Sequence, residues 1–171
     1  MNWQLEQAKL DEAEELHDIV RVCGEQMLQR FGLDPWVPPF PVETMRDYVR
    51  KSQVFTVRDG EYSVATFLLD DNAFGAHYPV NLFGNPTHKA IYIGKLAVLP
   101  KYQSRGVGHW CIAQAERIAR NGYYEAIRLD ILTDHTALAR FYTTCGFGSK
   151  GFFPTIYNGK PCNISLFEKQ L

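Results

Sequence analysis

Several patterns that would place this sequence in a familiar class are missing. Its four cysteines are spread over 171 residues and form no Cys-x-x-Cys pair, which disfavours a zinc or redox site. No apolar run reaches about 18 residues, and no apolar segment typical of a secretion signal is present. The glycine fingerprint of dinucleotide sites and the Gly-Lys-Ser/Thr of triphosphate loops are also absent. We therefore expect a cytoplasmic protein with no metal, NAD or ATP site.

An excess of charge of either sign is missing as well. The 18 Lys and Arg residues nearly balance the 19 Asp and Glu residues, so the formal net charge is -1 and gives no overall attraction to nucleic acid or an anionic membrane. Between residues 95 and 120, however, five basic residues face only Glu116: Lys95, Lys101, Arg105, Arg117 and Arg120. With 46% hydrophobic residues, the length suits one domain over residues 1–171.

Residues 103–108, Gln-Ser-Arg-Gly-Val-Gly, form the most informative segment, which we call the glycine loop. They stand between an apolar strand-like run and an amphipathic helix-like run. Gly106 and Gly108 have no β-carbon to block a phosphate, and a helix beginning there offers unpaired backbone N–H groups at the positive end of its dipole. Alone, the hexapeptide also fits an ordinary strand-to-helix turn. If the glycine loop binds a diphosphate, we call it the cradle. Its backbone amides are then expected to contribute more to diphosphate binding than the flexible side chains of Lys101 and Arg105.

A second pattern, Phe-Tyr-Thr-Thr-Cys-Gly-Phe, occupies residues 141–147 after another strand-like run at residues 126–131. With both patterns, the sequence resembles the GNAT superfamily of N-acetyltransferases, whose motifs read Gln/Arg-x-x-Gly-x-Gly/Ala and Phe-Tyr-x-x-x-Gly-Phe. The resemblance is sharpest over residues 90–147. It implies that acetyl-coenzyme A (acetyl-CoA) is the cofactor and that the acetyl group passes to an amine by direct attack in a ternary complex. The alternative is a non-catalytic acyl-CoA-binding sensor or interaction module.

Periodicity and turn residues predict about seven strands and about four helices. The strands are expected at residues 3–7, 54–58, 63–69, 90–98, 126–131, 152–156 and 163–167, with turns at Asp59-Gly60 and Asn158-Gly159. The helices are expected from a capping box at Asp11 and Glu14 to about Gly32, and at residues 42–51, 108–121 and 136–145. Residues 34–41 predict a stiff proline-rich loop, and residues 71–86 a long surface excursion.

This element order predicts the α/β (α+β) fold class, with hairpin-linked strands first and a βαβ crossover around the glycine loop. The resulting sheet is mixed. The resemblance further implies that the central strands splay and that the pantetheine arm of the cofactor pairs with the backbone of Leu96, Ala97 and Val98. From the residues alone, Leu96 and Val98 equally fit ordinary core positions of a parallel strand.

The resemblance implies a set of cofactor-binding residues: Leu96, Ala97, Val98, Gln103, Ser104, Arg105, Gly106, Val107, Gly108, His109, Asp134 and Tyr142. His109 is expected to line or stabilise the phosphate site. Asp134 lies where many relatives carry an asparagine that bonds the pantetheine arm. A carboxylate there can accept but not donate a hydrogen bond, so Asp134 can fill only the acceptor half of that role.

Tyr142 is the candidate catalytic residue. Attack on a thioester expels a thiolate whose free pKa is about 8.5, and a phenol with a pKa of about 10 can donate a proton to the sulfur. Family members commonly use the tyrosine at this position as a general acid. Tyr142 also fits a packing residue of an amphipathic helix, beside Phe141 in the core.

The group that removes the acceptor's proton is open. Several relatives use a glutamate on or near the central strand, but residues 91–98 contain no carboxylate. The candidates are Asp70 or Asp71, His88, or a chain of waters.

The acceptor is open too, because fold-level resemblance does not identify a substrate. Aromatic residues could line its site or simply fill the core beneath long loops: Trp36, Phe40, residues 74–83 and Tyr157. A small-molecule or peptide amine, including a protein N-terminus or lysine, is expected, with alcohols and hydroxylamines as alternatives. Neither nucleic acid nor membrane is an expected partner, and the protein is expected to act as a monomer or homodimer.

Overall fold

A computed structural model describes residues 2–51, 53–73, 79–83, 85 and 87–171. Packing divides the chain into two compact units, the first formed by Met1–Leu69 with Lys95–Gln114 and the second by Asp70–Gly94 with Ala115–Leu171. The prediction of one domain over the whole chain stays a prediction. Within the described ranges, none of the helices is both long and apolar enough to cross a membrane.

Seven strands and four helices follow one another in the described part of the chain. They are β1 (Trp3–Gln7), α1 (Ala13–Phe31), α2 (Val42–Arg50), β2 (Val54–Asp59), β3 (Tyr62–Asp70), β4 (Ala90–Val98), α3 (Val107–Asn121), β5 (Ala126–Leu132), α4 (Thr136–Thr144), β6 (Gly148–Tyr157) and β7 (Lys160–Gln170). The strands form one sheet in the order β1-β2-β3-β4-β5-β7-β6. Pairing is antiparallel for β1 with β2, β2 with β3, β5 with β7 and β6 with β7, and parallel for β4 with β5. The predicted α/β class with a mixed sheet is confirmed.

The parallel ladder between β4 and β5 is short. It begins at Ala90 and Ala126 and ends at Tyr92 and Arg128, although both strands continue well beyond that point. Ile93 is therefore already past the last pair. This early end of the ladder agrees with the predicted splay of the central strands.

In the first unit, α1 buries a stripe of residues at helical spacing: Ala13, Leu16, Ile19, Val20 and Cys23. The predicted capping box at Asp11 and Glu14 is wrong. A short 3-10 turn, Leu10–Glu12, precedes the helix, and the carboxylate of Glu12 accepts a hydrogen bond from the Lys9 backbone N–H at 2.6 Å. The extra turn moves the acidic partner two residues earlier. The helix ends at Phe31 and is capped by left-handed Gly32, with φ of 69°, close to the predicted end.

In the second unit, β6 and β7 extend beyond the predicted residues 152–156 and 163–167. The alternating sequence pattern predicted shorter strands because glycines and Pro154 interrupt it. A register shift between Ser149 and Phe152 absorbs one irregularity, and Pro154 is tolerated because β6 is the last strand of the sheet.

The predicted surface excursion at residues 71–86 is also corrected where it is described. Ala73 and Phe83 are buried there, and Val80–Leu82 form a 3-10 turn. Residues 74–78, 84 and 86 lie outside the described residues.

Candidate functional site

The glycine loop has two left-handed residues within three positions. Ser104 has φ of 58° and Gly106 has φ of 88°, and only glycine adopts the latter conformation without strain. The backbone N–H of Trp110 donates to the Gly106 carbonyl at 3.0 Å, which begins the α3 ladder. The helix therefore starts at Val107, one residue before the predicted start. Its first turn presents backbone N–H groups beside an exposed Gly106.

Two tryptophans pack behind this turn. The rings of Trp3 and Trp110 meet edge to face at 6.0 Å with an interplanar angle of 67°. A β-carbon built on Gly106 would lie 3.7 Å from Cη2 of Trp3, which is an ordinary contact. The backbone conformation, and not a lack of space, therefore explains why glycine is needed at position 106.

The Gln103 side chain braces the loop instead of pointing to solvent. Its Nε2 donates to the Val98 carbonyl at 2.9 Å and to Oε1 of Gln26 at 2.8 Å. The Cys23 thiol donates to the same Val98 carbonyl at 3.2 Å. Burial raises the pKa of Cys23 to about 12, against a smaller opposite effect of this hydrogen bond, so the thiol keeps its proton. These two donors occupy both lone pairs of the Val98 carbonyl oxygen, so this oxygen cannot accept a hydrogen bond from a ligand.

The end of β4 is more open than a core strand. Ala97 is 2% exposed, whereas Leu96 and Val98 are only half-buried. The interpretation of Leu96 and Val98 as ordinary core residues is wrong in this respect. The backbone of Leu96 and Ala97 is still predicted to pair with a pantetheine arm.

Positive side chains flank the glycine loop. The Lys101 ammonium and the Arg105 guanidinium lie 5.0 and 5.7 Å from the centroid of the Tyr102 ring. His109 is exposed in the first turn of α3. Exposed cations around backbone amides at a helix N-terminus suit an anionic ligand.

Tyr142 lies in an aromatic cluster of the second unit. It is 6% exposed, and its ring meets those of Phe141 at 5.0 Å and Phe147 at 5.6 Å, both edge to face. Phe141, predicted as core, is half-buried, so Tyr142 is the more enclosed of the two. Packing is thus part of what Tyr142 does, and its catalytic role stays a prediction.

After β5 ends, the buried side chain is that of His135. The sequence patterns did not identify it as a functional residue. Asp134 is exposed, while His135 is 9% exposed and its Nδ1 accepts from the Leu138 backbone N–H at 3.3 Å, as the N-cap of α4. Burial lowers the pKa of His135, with a smaller opposite effect of a backbone hydrogen bond. The imidazole is therefore neutral at pH 7, with its proton on Nε2. The sequence feature that could have identified His135 is its position immediately before a predicted helix.

The three side-chain candidates for the general base are Asp70, at the end of β3, Asp71, which follows it, and His88, which precedes β4. Asp71 hydrogen-bonds Tyr124, whose pKa is raised first by burial and then by that carboxylate. Asp70 is 7% exposed and accepts from the Asn72 backbone N–H at 3.1 Å. All three belong to the second unit.

Two of the aromatic residues considered for an acceptor wall pack inside the fold: Trp36 is half-buried and Phe83 belongs to the core. A β-carbon on Gly24 of α1 would approach Cβ of Trp36 to 2.8 Å, so Trp36 packs tightly on that helix. Phe83 is 2% exposed and lies under the Arg128 guanidinium at 4.2 Å. Phe40 is half-buried and Tyr157 is 44% exposed, while Phe74 lies outside the described residues.

The sequence profile described as the acetyltransferase (GNAT) family matches residues 25–147. No curated protein sequence matches the chain.

Solved structures share the fold at low identity. A GNAT family acetyltransferase from Streptococcus agalactiae has a TM-score of 0.78 and 12% identity, with 99% of this chain and 95% of that one covered. The yncA protein from Salmonella typhimurium, solved with its cofactor acetyl-CoA, has a TM-score of 0.73 and 13% identity over 100% and 95%. RimL, a ribosomal L7/L12 alpha-N-protein acetyltransferase in complex with coenzyme A, has a TM-score of 0.71 and 16% identity over 100% and 95%.

Proposed function

This chain belongs to the GNAT family of acetyltransferases, and we propose that it moves an acetyl group from acetyl-CoA to an amine by direct attack in a ternary complex. The observation that carries the proposal is the glycine loop, where left-handed Ser104 and Gly106 lead into the first turn of α3. The whole chain is proposed to act as one domain. Its cytoplasmic location and its state as monomer or homodimer remain predictions.

The residues of the first unit fit the cofactor that the family uses. Backbone amides of residues 104–108 would hold the diphosphate, with Arg105 and His109 beside it. Leu96 and Ala97 would pair with the pantetheine arm, while the Val98 carbonyl keeps its two internal donors. Gln103 contributes by bracing the loop. When bound, acetyl-CoA supplies an activated acetyl thioester.

For the second unit, we propose Tyr142 as the proton donor and His135 as one contact of the arm. The Tyr142 phenol would donate a proton at the sulfur as the thiolate leaves. His135 is proposed in place of Asp134 because its imidazole is 9% exposed and held as the N-cap of α4, whereas Asp134 is exposed. An imidazole with Nδ1 as acceptor carries its proton on Nε2, and a carboxylate has no such proton to donate.

The acceptor's proton is proposed to leave through water. Residues 91–98 of β4 contain no carboxylate, so this strand supplies none for the step. A base must come within about 3 Å of the proton it removes, directly or through one water. Asp71 already hydrogen-bonds Tyr124, and Asp70 accepts from the Asn72 backbone N–H. Asp70, Asp71 and His88 remain the side-chain alternatives.

Acetyl-CoA consumption with a panel of primary amines tests the proposal, comparing wild type with Tyr142→Phe. We expect kcat to fall by about 100-fold or more, while the Kd for acetyl-CoA stays nearly the same because the lost hydroxyl serves the departing sulfur. Tyr62→Phe is the matched control, because Tyr62 is 71% exposed on β3.

Two results would contradict these assignments separately. An unchanged kcat in Tyr142→Phe removes Tyr142 from the mechanism. Binding of acetyl-CoA without transfer to any amine rejects the enzyme and favours a sensor.

A further inference from the structure

The helix that carries Tyr142 ends in a tightly bonded turn. The Tyr142 carbonyl accepts from the backbone N–H groups of Cys145 at 3.0 Å and Phe147 at 3.1 Å. The Gly146 N–H donates to the Thr143 carbonyl at 3.0 Å, and Gly146 has φ of 87°. This is the Schellman arrangement, in which a left-handed glycine ends a helix. Tyr142 is therefore the residue on which the last turn of α4 closes.

The side chain of Tyr142 takes part in the same turn. Its ring meets that of Phe147 at 5.6 Å, which is the apolar contact that often accompanies this kind of helix end. It also lies 6.5 Å from the ring of Phe167 on β7. Phe147 and Phe167 are 3% and 4% exposed, so both rings are fixed in a packed core. A shift of the turn therefore moves the Tyr142 phenol relative to its neighbours.

One carbonyl at this helix end is bonded by a side chain. The Lys169 ammonium, on β7, donates to the Cys145 carbonyl at 2.8 Å. Helix C-termini carry unpaired carbonyls and a partial negative charge, so a cation is favourable there. A β-carbon built on Gly146 would lie 3.3 Å from Cε of Lys169, so the lysine stem also packs against the turn. Lys169 thus contacts the turn at two consecutive residues.

The Lys169 ammonium is itself held in place. Oε1 of Glu116 on α3 accepts from the same Nζ at 2.5 Å, and the two side chains are 22% and 21% exposed. The backbone of Lys169 lies opposite Ile127 in the ladder between β5 and β7. A bond between ammonium and carboxylate is roughly twice as strong as a neutral hydrogen bond. Strand pairing and Glu116 therefore fix the position from which Lys169 contacts α4.

We propose that Lys169 is a positioning residue for the transfer reaction, because it fixes the turn at residues 145–146 and so sets the position of the Tyr142 phenol. This inference rests on the proposed function, which makes Tyr142 the proton donor. A donor acts only within hydrogen-bond distance of the atom that it protonates, and a misplacement of about 1 Å can cost up to about 100-fold in rate. Lys169 acts through Tyr142 and is assigned no contact with the cofactor.

Kinetics of Lys169 variants test the proposal. In Lys169→Met, which removes the ammonium, we expect kcat to fall about 10-fold. The Kd for acetyl-CoA should stay nearly the same, because the glycine loop belongs to the first unit. Lys169→Arg keeps the charge and should retain most of kcat. Added to Tyr142→Phe, Lys169→Met should lower kcat no further, since a positioning residue has no effect once the group that it positions is gone.

Lys150→Met is the matched control. Lys150 on β6 is also half-buried and pairs with a carboxylate of β7, Glu168 Oε1, at 3.3 Å. Its loss should lower stability but leave kcat unchanged, because this ion pair joins two strands and not a strand to a helix end. Urea titration of each variant compares the losses of stability. Glu116→Gln is a milder second variant that serves if Lys169→Met does not fold, and it should lower kcat about 2- to 5-fold.

A spectroscopic measurement follows Tyr142 without requiring turnover. In protein labelled with 3-fluorotyrosine, fluorine NMR reports on each tyrosine ring, and the resonance missing from Tyr142→Phe is that of Tyr142. We expect Lys169→Met to shift this resonance and Glu116→Gln to shift it less. Lys169→Arg and Lys150→Met should leave it near the wild-type position.

The outcomes separate this proposal from the proposed function. A Tyr142 resonance that shifts in Lys169→Met, in a protein whose wild type acetylates none of the amines, leaves the placement of Tyr142 by Lys169 standing and rejects the acetyltransferase function. An unshifted resonance overturns the Lys169 assignment even in an active enzyme. A further fall in kcat when Lys169→Met is added to Tyr142→Phe, or an equal fall in Lys150→Met, also overturns it.

Discussion

The glycine loop and the buried pair of Arg128 and Glu168 handle charge in opposite ways. In the loop, Ser104 and Gly106 are left-handed and exposed, and they lead into the first turn of α3 with its unpaired backbone N–H groups. In the pair, two side chains that are 2% and 3% exposed bond each other, Arg128 Nε to Glu168 Oε2, at 2.9 Å. The first arrangement is ready for an anion from outside, and the second already contains its own. The loop should therefore govern binding and the pair should govern folding.

Arg128 is surrounded as completely as a buried guanidinium requires. Its Nη1 donates to the Tyr92 hydroxyl at 3.3 Å, its Nη2 donates to the Asn85 carbonyl at 2.7 Å, and its plane lies 4.2 Å from the Phe83 ring centroid. These bonds tie the segment before β4 to β5. Desolvation of a buried charge is offset only when its donors are satisfied in this way.

Glu168→Ala is expected to have the largest effect, because it leaves the Arg128 charge buried without its carboxylate. We predict a loss of about 3–5 kcal/mol in the free energy of unfolding, measured by urea titration. The control is Glu25→Ala, which breaks the exposed pair of Glu25 with Arg21 and should cost less than about 1 kcal/mol. Equal losses in the two variants would refute the assignment of the buried pair to folding.

Acid titration sharpens this prediction. Burial alone raises the pKa of Glu168, but hydrogen bonds from Arg128 and Lys150 and their charges outweigh it, so the pKa is lowered from 4.5. A lowered native pKa means that the stabilisation is fully present above pH 4.5 and is lost as the pH falls through the native value. The stability difference between wild type and Glu168→Gln should therefore narrow below pH 4.5. A constant difference would contradict the pKa direction.

Gly106→Val tests the loop side of the comparison. A β-branched residue is strained at φ of 88°, and relaxation would turn the amides away from the diphosphate. We predict that the Kd for acetyl-CoA, measured by calorimetry, rises by about 100-fold or more, which is about 2.7 kcal/mol.

Gly60→Val is the matched control, because Gly60 has φ of 64° and open space around it in the turn between β2 and β3. It imposes similar strain far along the chain from the loop, so it should lower stability but leave the Kd unchanged. Tight acetyl-CoA binding by Gly106→Val would refute the cradle.

The two regions also differ in how far sequence patterns could predict them. The glycine loop lies within six consecutive residues, so its glycines and the adjoining strand and helix are visible as one local pattern. The Arg128 pair joins residues 40 positions apart, and only the antiparallel pairing of β5 with β7 brings them together. A periodic pattern of hydrophobic residues along the chain cannot reveal such a contact. The same holds for Lys169 and Cys145, which meet through the fold of the second unit.

Smaller errors arose where two local patterns competed. Glu12 and Glu14 both fit an acidic partner for the first helix, and a 3-10 turn decided in favour of Glu12. Asp134 and His135 are neighbours at the end of β5, and burial distinguished them. The strand predicted around Pro154 was too short. Proline is tolerated in an edge strand, but the position of a strand at the edge is a property of the sheet that the sequence pattern does not show.

Gln103→Leu is expected to have the smallest effect, and it distinguishes a brace from a ligand. The variant loses the hydrogen bonds to Val98 and Gln26, so stability should fall by about 1 kcal/mol and the Kd for acetyl-CoA should rise by about 3- to 10-fold. Gln26→Leu removes one of the two bonds and should lie between wild type and Gln103→Leu in both measurements. A brace makes the two quantities change together across the series. A rise of 100-fold in Kd with unchanged stability would instead mean that Gln103 contacts the cofactor directly.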